Sequence, residues 1–406
     1  MCLAKWNQTS LHLPTGLTNS CYHPPLHKMD AEAVKKNPAA LHNTQEKLNQ
    51  RQQMLQGEQP AGCSYCWNME KTGEMSDRHY RSGEPWAMQD FEDIRKNPID
   101  EDWTPRYVEV NFNNACNLQC SYCSPQFSTK WGKEIDRYGQ YPTSPPHNAP
   151  EHFQGRRRPI PNREENPYVD AFWKWWPTLY KNLKHFRMTG GEPMMDKNTY
   201  KVFQYIIDNP KKDLHLNVTS NMCPADKKLK AKYFNMASEI CMQEKVEHMM
   251  QFVSVDAFGK RAEYIRNGLD FNYMMDNVEE FLDRIPVRNS ITFICTYNNL
   301  SITSMDKLLE KILELRKKYS KTYQRVWFDV PLLRQPAWQQ ITLLPESYQG
   351  IHEENIKYMQ ANSGEENGLH IFKDFEIQKM QRNLAHWREN ADASTQNKKN
   401  FYAFFN

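Results

Sequence analysis

Cys116, Cys120 and Cys123 fall within eight residues in a C-x3-C-x2-C spacing. Thiolates are the soft ligands that iron–sulfur clusters select. Three of them on one loop suit a [4Fe–4S] cube, binding three irons and leaving the fourth open to a substrate or cofactor. Zinc is the competing use, with His147 or His152 as a fourth ligand, but zinc sites more often show paired C-x2-C units. Cys2, Cys21, Cys63 and Cys66 form a second set, C-x18-C-x41-C-x2-C. Four thiolates can close a cluster or a zinc ion completely. Of the ten cysteines, Cys223, Cys241 and Cys295 are left without a role. Cys295 alternates within a strand pattern and reads as core, and Cys223 reads as a loop residue.

These ligands need elements to position them. From 107 onward, strand and helix patterns alternate. Strands are expected at 107–112, 185–189, 214–219, 251–255, 290–296 and 325–330, with helices over 197–209, 226–246, 273–284 and 303–319. Such alternation predicts a parallel sheet with right-handed crossovers, here an α/β fold built as a partial (β/α)6 TIM-like barrel. In barrels of this kind the site lies in the loops at the C-terminal ends of the strands. The cysteine loop follows the first strand, Gly190-Gly191-Glu192-Pro193 the second, Ser220-Asn221 the third, Asp256 the fourth and Asn298-Asn299 the fifth. Every polar or glycine-rich candidate therefore falls on one rim.

Residues 1–70 read as a small N-terminal Cys-rich α+β domain, with a strand over 6–13, a turn at Gly16 and a helix over 43–55 stopped by Gly57. Residues 71–105 read as a connector with a short helix near 88–94, and 106–335 as the barrel. An insertion at 126–166, rich in Pro, Gly, Arg and Asn, shows little periodicity and reads as a lid. Phe172, Trp173, Trp175, Trp176, Leu179 and Leu183 suggest a core helix rather than a base-stacking platform. Residues 336–406 form a C-terminal extension with a helix over 375–387 and an aromatic end that docks.

Composition excludes several classes. The 406 residues carry a net charge of +3 from near-equal acids and bases. That gives no push toward nucleic acid or an acidic membrane surface, and Arg156-Arg157-Arg158 reads as a solvated loop. Mean hydropathy is −0.86, with no apolar run of membrane-spanning length and no apolar signal core at the start. A cytoplasmic protein is expected, in which cysteines serve metals rather than disulfides.

Cys116, Cys120, Tyr122 and Cys123, with the aromatic residue ahead of the last cysteine, resemble the signature of the radical S-adenosylmethionine (SAM) superfamily. The resemblance implies a [4Fe–4S] cluster whose open iron chelates the amino and carboxylate groups of SAM. It also implies reductive cleavage of SAM to a 5′-deoxyadenosyl radical that abstracts hydrogen from substrate. Gly190, Gly191, Glu192 and Pro193 match the family's GGEP stretch, with Glu192 accepting from the SAM ammonium. Thr219-Ser220-Asn221 resembles the next SAM-contacting segment, usually T-N-G, and here reads T-S-N-M. Ser254 and Asp256 resemble an S-x-D segment, with Ser254 toward the sugar or methionyl group. Arg266 resembles an arginine that pairs with the SAM carboxylate, a bidentate task suited to a guanidinium. Its alternative is a surface arginine at a helix end, and Asn298 reads as a turn residue.

Trp6, Thr15-Gly16, Asn43, Lys47, Arg51, Leu55-Gln56-Gly57, Cys63, Cys66, Trp67 and Glu70 stand in an order that resembles the twitch domain, the shortened relative of the SPASM domain. This implies an auxiliary iron–sulfur cluster at Cys2, Cys21, Cys63 and Cys66, which relays electrons or staples a small unit. Such domains commonly follow the barrel; this one precedes it. Relatives of this type often modify peptides or proteins, with an external flavodoxin- or ferredoxin-like electron donor. A nucleoside, sugar or nucleic acid is the other substrate class. A non-enzymatic zinc-binding interaction protein is the reading from a different class.

Overall fold

A computed structural model describes residues 1–149, 158–364 and 368–406. His152, Arg156 and Arg157 lie outside the described residues, and Arg158 is exposed.

The chain is a mixed α/β protein. Its strands are β1 (Gln8–His12), β2 (Leu17–Asn19), β3 (His27–Lys28), β4 (Tyr107–Asn111), β5 (Gln119–Cys120), β6 (His185–Thr189), β7 (Lys211–Ser220), β8 (Val246–Ser254), β9 (Arg266–Asn267), β10 (Ser290–Ile294) and β11 (Val326–Asp329). Nine of them form one sheet in the order β11-β10-β8-β7-β6-β4-β1-β2-β3, while β5 and β9 pair separately. Parallel pairs join β1 with β4, β4 with β6, β8 with β10 and β10 with β11. β10 is buried along almost its whole length, as a parallel strand covered on both faces must be.

Two compact units are formed. The first comprises Met1–Asn114, Phe153–Gly191 and Asp213–Asn217. Leu3, Trp6, Trp86, Ala87, Ile94 and Tyr107 make its larger N-terminal core cluster. β1 pairs in parallel with β4 through Ser10↔Glu109 and antiparallel with β2. Helix Pro167–Asn182 is capped by the Asn166 side chain, starts on proline, and buries Phe172, Trp175, Trp176 and Leu179. The tryptophan run is core, as its helical spacing requires.

The second comprises Ala115–His152, Glu192–Lys212 and Val218–Asn406. Helices Lys197–Asp208, Lys227–Met242 and Phe271–Arg284 each begin at an aspartate whose side chain accepts backbone N–H groups of the first turn. Helix Met305–Tyr319 carries fully buried Arg316, which meets fully buried Glu376 of helix Asp374–Glu389.

Two sequence expectations need correcting. The strand expected over 6–13 starts as a helical turn, Ala4–Asn7, before β1. The stretch at 126–166 contains helix Thr129–Tyr138, whose buried Trp131 and Ile135 lie one turn apart on a single face. The aromatic end is itself helical, Thr395–Phe405. Phe404 lies 4.5 Å from Trp338 and 4.4 Å from Tyr141, ring centre to ring centre. No helix among the described residues is long and apolar enough to cross a membrane.

Candidate functional site

The cysteine loop leaves the end of β4 and is fixed by its own backbone. β5, which contains Cys120, pairs antiparallel with β9, which contains Arg266. Ser121 N–H donates to the Ile265 carbonyl at 2.8 Å, and the Trp131 indole donates to the Cys120 carbonyl at 2.9 Å. Gln339 clamps Ser121 twice, accepting from its hydroxyl and donating to its carbonyl. The Leu118 N–H points at Cys116 Sγ at 3.4 Å, and Arg266 Nη1 at Cys120 Sγ at 3.5 Å. Donors aimed at sulfur are what a thiolate-bound cluster draws on.

Arg266 is nearly buried, its guanidinium set against Asp256, Tyr122 and Cys120. Its Nε lies 2.8 Å from Asp256 Oδ2. Its Nη2 donates to Asp256 Oδ1 at 3.0 Å and to the Tyr122 hydroxyl at 2.7 Å. Tyr122 in turn donates to Asp256 Oδ2 at 2.8 Å, and Thr296 N–H donates to Oδ1 at 3.0 Å. Nη1 faces Cys120, and Nε, although close to Asp256, makes no hydrogen bond.

Glu192 is buried and held from three sides. Ser220 Oγ and Met194 N–H donate to Oε1 at 2.7 and 3.1 Å, and Asn221 N–H donates to Oε2 at 2.8 Å. Burial raises its pKa above the usual carboxylate range, against the pull of the Asn221 N–H. Asn221 also donates through its amide to Asn117 Oδ1 at 2.9 Å, and Asn117 reaches the Cys223 carbonyl at 2.7 Å. Glu192, Ser220, Asn221, Asp256, Tyr122 and Arg266 thus belong, with the three cysteines, to one unit. Ser254 ends β8, half-buried. Gly190 and Gly191 belong to the first unit. Gly190 has φ +123°, and a Cβ there would lie 2.1 Å from Asn111 Oδ1, so only glycine fits.

Burial pushes the Cys116 thiol up to about 12, with Glu192 adding to the shift, and it raises Cys120 and Cys123 as well. Such thiols stay protonated at neutral pH unless a metal displaces the proton. The donor set therefore fits a metal cluster better than a free nucleophile.

The first unit holds the second set of cysteines. Cys2, Cys21, Cys63 and Cys66 all line one narrow pocket, together with Lys5, Arg78 and Arg81. Burial pushes the Cys21 thiol up to about 12 and raises Cys2 and Cys66. Sequence separations of 19, 42 and 3 residues thus converge on one space, which suits a four-thiolate ligand set. Among the described residues, no group of three or more His, Cys, Asp or Glu side chains stands close enough together to hold a metal ion.

The unassigned residues behave plainly. Cys295 is fully buried core. Cys223 Sγ accepts from Asp270 N–H at 3.4 Å, a loop-fixing role. Asn298 is a turn residue, accepting from Leu300 N–H and donating to the Thr296 carbonyl. His147 lies among the rings of Trp131, Tyr141, Trp338 and Phe404. Sequence reasoning missed Asn117, Trp131 and Gln339, whose roles rest on partners distant in the chain.

No family model matches the chain, and no curated protein matches its sequence. Among solved structures it is similar to Streptococcus suis SuiB, at 12% identity and a TM-score of 0.41, covering 87% of this chain and 68% of that one. It is similar to the same degree to SuiB bound to the precursor peptide SuiA, covering 83% of this chain and 65% of that one. A likeness of this degree assigns no activity.

Proposed function

We propose that this chain is a radical SAM enzyme with an auxiliary iron–sulfur cluster. The observation that carries the proposal is the joining of the Cys116–Cys120–Cys123 loop to Arg266, Tyr122 and Asp256, beside buried Glu192, in one hydrogen-bonded network. Cys116, Cys120 and Cys123 would hold a [4Fe–4S] cluster, which when reduced supplies the electron that cleaves SAM to the 5′-deoxyadenosyl radical.

The chain's own residues do the binding and orientation. Asp256 and Tyr122 hold Nη2 of Arg266, which aims Nη1 toward the cluster side for the SAM carboxylate. Glu192 is braced by Ser220 and Asn221, and Oε2 keeps acceptor capacity for the SAM ammonium. Ser254 faces the sugar or methionyl part, and Gly190, Gly191 and Pro193 let the backbone approach the ligand. Cys2, Cys21, Cys63 and Cys66 would hold the second cluster.

In this reading 1–70 is the twitch-like unit, 71–105 a connector, 106–335 a partial (β/α)6 barrel with its insertion, and 336–406 an extension. The substrate is a peptide or protein, the electron donor is flavodoxin- or ferredoxin-like, and the setting is cytoplasmic.

The test is direct. Anaerobically purified protein is brown and forms 5′-deoxyadenosine from SAM under reductant, and Cys120→Ala abolishes that product. Colourless, zinc-loaded protein that leaves SAM intact overturns the proposal. Mass spectrometry of peptides encoded beside the gene, before and after reaction, identifies the substrate.

A further inference from the structure

One face of the sheet in the first unit is polar. Residues in register on neighbouring strands share a face. Gln8, Ser10 and His12 of β1 stand beside Tyr107, Glu109 and Asn111 of β4. Those three stand beside His185, Arg187 and Thr189 of β6. His185 stacks on His215 of β7, ring centres 4.6 Å apart, so the same face continues into β7. The alternate residues Val108, Val110, Phe186, Met188, Leu214 and Leu216 point the other way and are shut off from solvent. Glu109, Arg187, His185, His215 and Asn217 are partly exposed, so solvent reaches the polar face.

Part of this face is satisfied within the chain. Arg187 Nε lies 3.5 Å from Glu109 Oε2, and the Tyr22 hydroxyl donates to the same oxygen at 3.2 Å. Another part is not. Both amide atoms of Gln8, the Ser10 hydroxyl and Asn111 Oδ1 are buried with no hydrogen-bond partner. Gln8 is completely buried, and Asn111 and Ser10 are 2% and 3% exposed. Buried donors and acceptors left unpaired cost stability, and four such atoms on one face point to a ligand that pairs with them.

Their spacing selects the kind of ligand. Gln8 and Ser10 are two residues apart on one strand, about 7 Å. An extended peptide turns its own N–H and C=O groups to one side at the same interval. Asn111 is level with His12, four residues beyond Gln8, so the unpaired atoms reach over about 13 Å. One sugar ring or one base covers less than that, and an extended tetrapeptide covers it. A carboxamide offers both a donor and an acceptor, which a peptide amide offers in return.

We propose that this face holds an extended peptide segment by its backbone, with Gln8, Ser10 and Asn111 as the amide-binding groups. This rests on the reading of the substrate as a peptide and deepens it. It gives the N-terminal strand β1 a part in substrate binding that needs no metal at the cysteines.

The experiment is equilibrium binding to the full-length protein without SAM or reductant, followed by saturation-transfer NMR. The probe is acetyl-tetraalanine amide, a peptide backbone with minimal side chains. It should bind saturably, and its N-methylated counterpart, which lacks the backbone N–H groups, should not. Gln8→Met, close in shape and apolar, should weaken binding about tenfold, as for one or two lost hydrogen bonds.

Melting temperature separates this from a structural role. With an unpaired amide gone, Gln8→Met should melt no lower than the parent, while the stabilisation given by the probe shrinks. If Gln8→Met lowers both melting temperature and affinity, Ser10→Ala decides, since it removes only a hydroxyl. It should weaken binding about threefold at unchanged melting temperature, and unchanged affinity there overturns the inference. A probe that fails to bind the parent, or binds equally well when N-methylated, overturns it too. Maltotriose or uridine binding in place of the peptide, lost in Gln8→Met, overturns the peptide assignment. Formation of 5′-deoxyadenosine tests the enzyme reading separately: a peptide site without SAM cleavage leaves this inference standing and overturns the other.

Discussion

Asp256 is where the most bonds of the cysteine-loop network meet. It binds Arg266 through both oxygens, accepts from Tyr122 and takes the Thr296 N–H. Changing it to asparagine keeps the shape but removes the charge that orients the guanidinium. Asp256→Asn should lower 5′-deoxyadenosine formation about 10–100-fold, the usual cost of losing an outer partner of a metal site, with iron content unchanged. Equal loss of iron and activity would argue instead for a purely structural role. Histidines of the N-terminal unit set its acid limit. Burial, with Lys47 and Lys5 nearby, holds His27 down to about 3. Exposed Glu46 at 3.5 Å is too well solvated to offset this. Burial, with Arg51 and Lys47, holds His42 well below its usual 6.5. As pH falls the unfolded chain takes up these protons first, so stability declines from about 6.5 toward about 3. Melting temperature measured across that range should fall, and His27→Gln should flatten part of the slope.

At the scale of elements, helix Asp374–Glu389 is tied to helix Met305–Tyr319 by one buried ion pair, and both partners bond the backbone of β11. Glu376 takes Arg316 through two oxygens and accepts the Phe328 N–H at 3.0 Å, and Arg316 also donates to the Val326 carbonyl at 3.0 Å. Glu376→Ala leaves a guanidinium buried without its partner, and chemical denaturation should show a loss of about 3–5 kcal/mol. Nothing in the sequence pairs residues 60 apart, so this tie was invisible there. The six sheet strands from β4 onward were legible because their apolar pattern is local, whereas β2 and β3, three and two residues long, are too short to show one. His185–Thr189 has the bounds its pattern predicts, and β8 extends only toward its N-terminal side. Helix Thr129–Tyr138 is strongly amphipathic, with Trp131 and Ile135 one turn apart, and its Pro- and Gly-rich surroundings rather than a weak pattern hid it.

At the scale of the whole molecule, the two cysteine sets fall in separate compact units. Loading should therefore be separable. Protein with both sites intact should carry about eight irons per chain if each holds a four-iron cube. Cys63→Ala and Cys120→Ala should each remove about half, with Cys63→Ala sparing some SAM cleavage; a total loss from either change would mean that the sites do not load independently. The ligand residues were legible because thiols are scarce and their spacing is local at 116–123. What the sequence could not display is the company they keep, such as Gln339 on Ser121, 218 residues away.

The pairing of β1 with β4 has a consequence for the chain during its synthesis. Ser10 faces Glu109, so β1 leaves the ribosome about 5–20 s before its partner at ordinary translation rates. During that interval β1 can pair only with β2, and its other edge is a bare row of donors and acceptors open to the wrong strand. All four cavity cysteines have emerged by the end of that interval. An early cluster on the nascent chain would gather β2, helix Gln45–Leu55 and the Cys63–Cys66 turn before β4 arrives. Iron supply would then govern the yield of soluble protein as well as its colour.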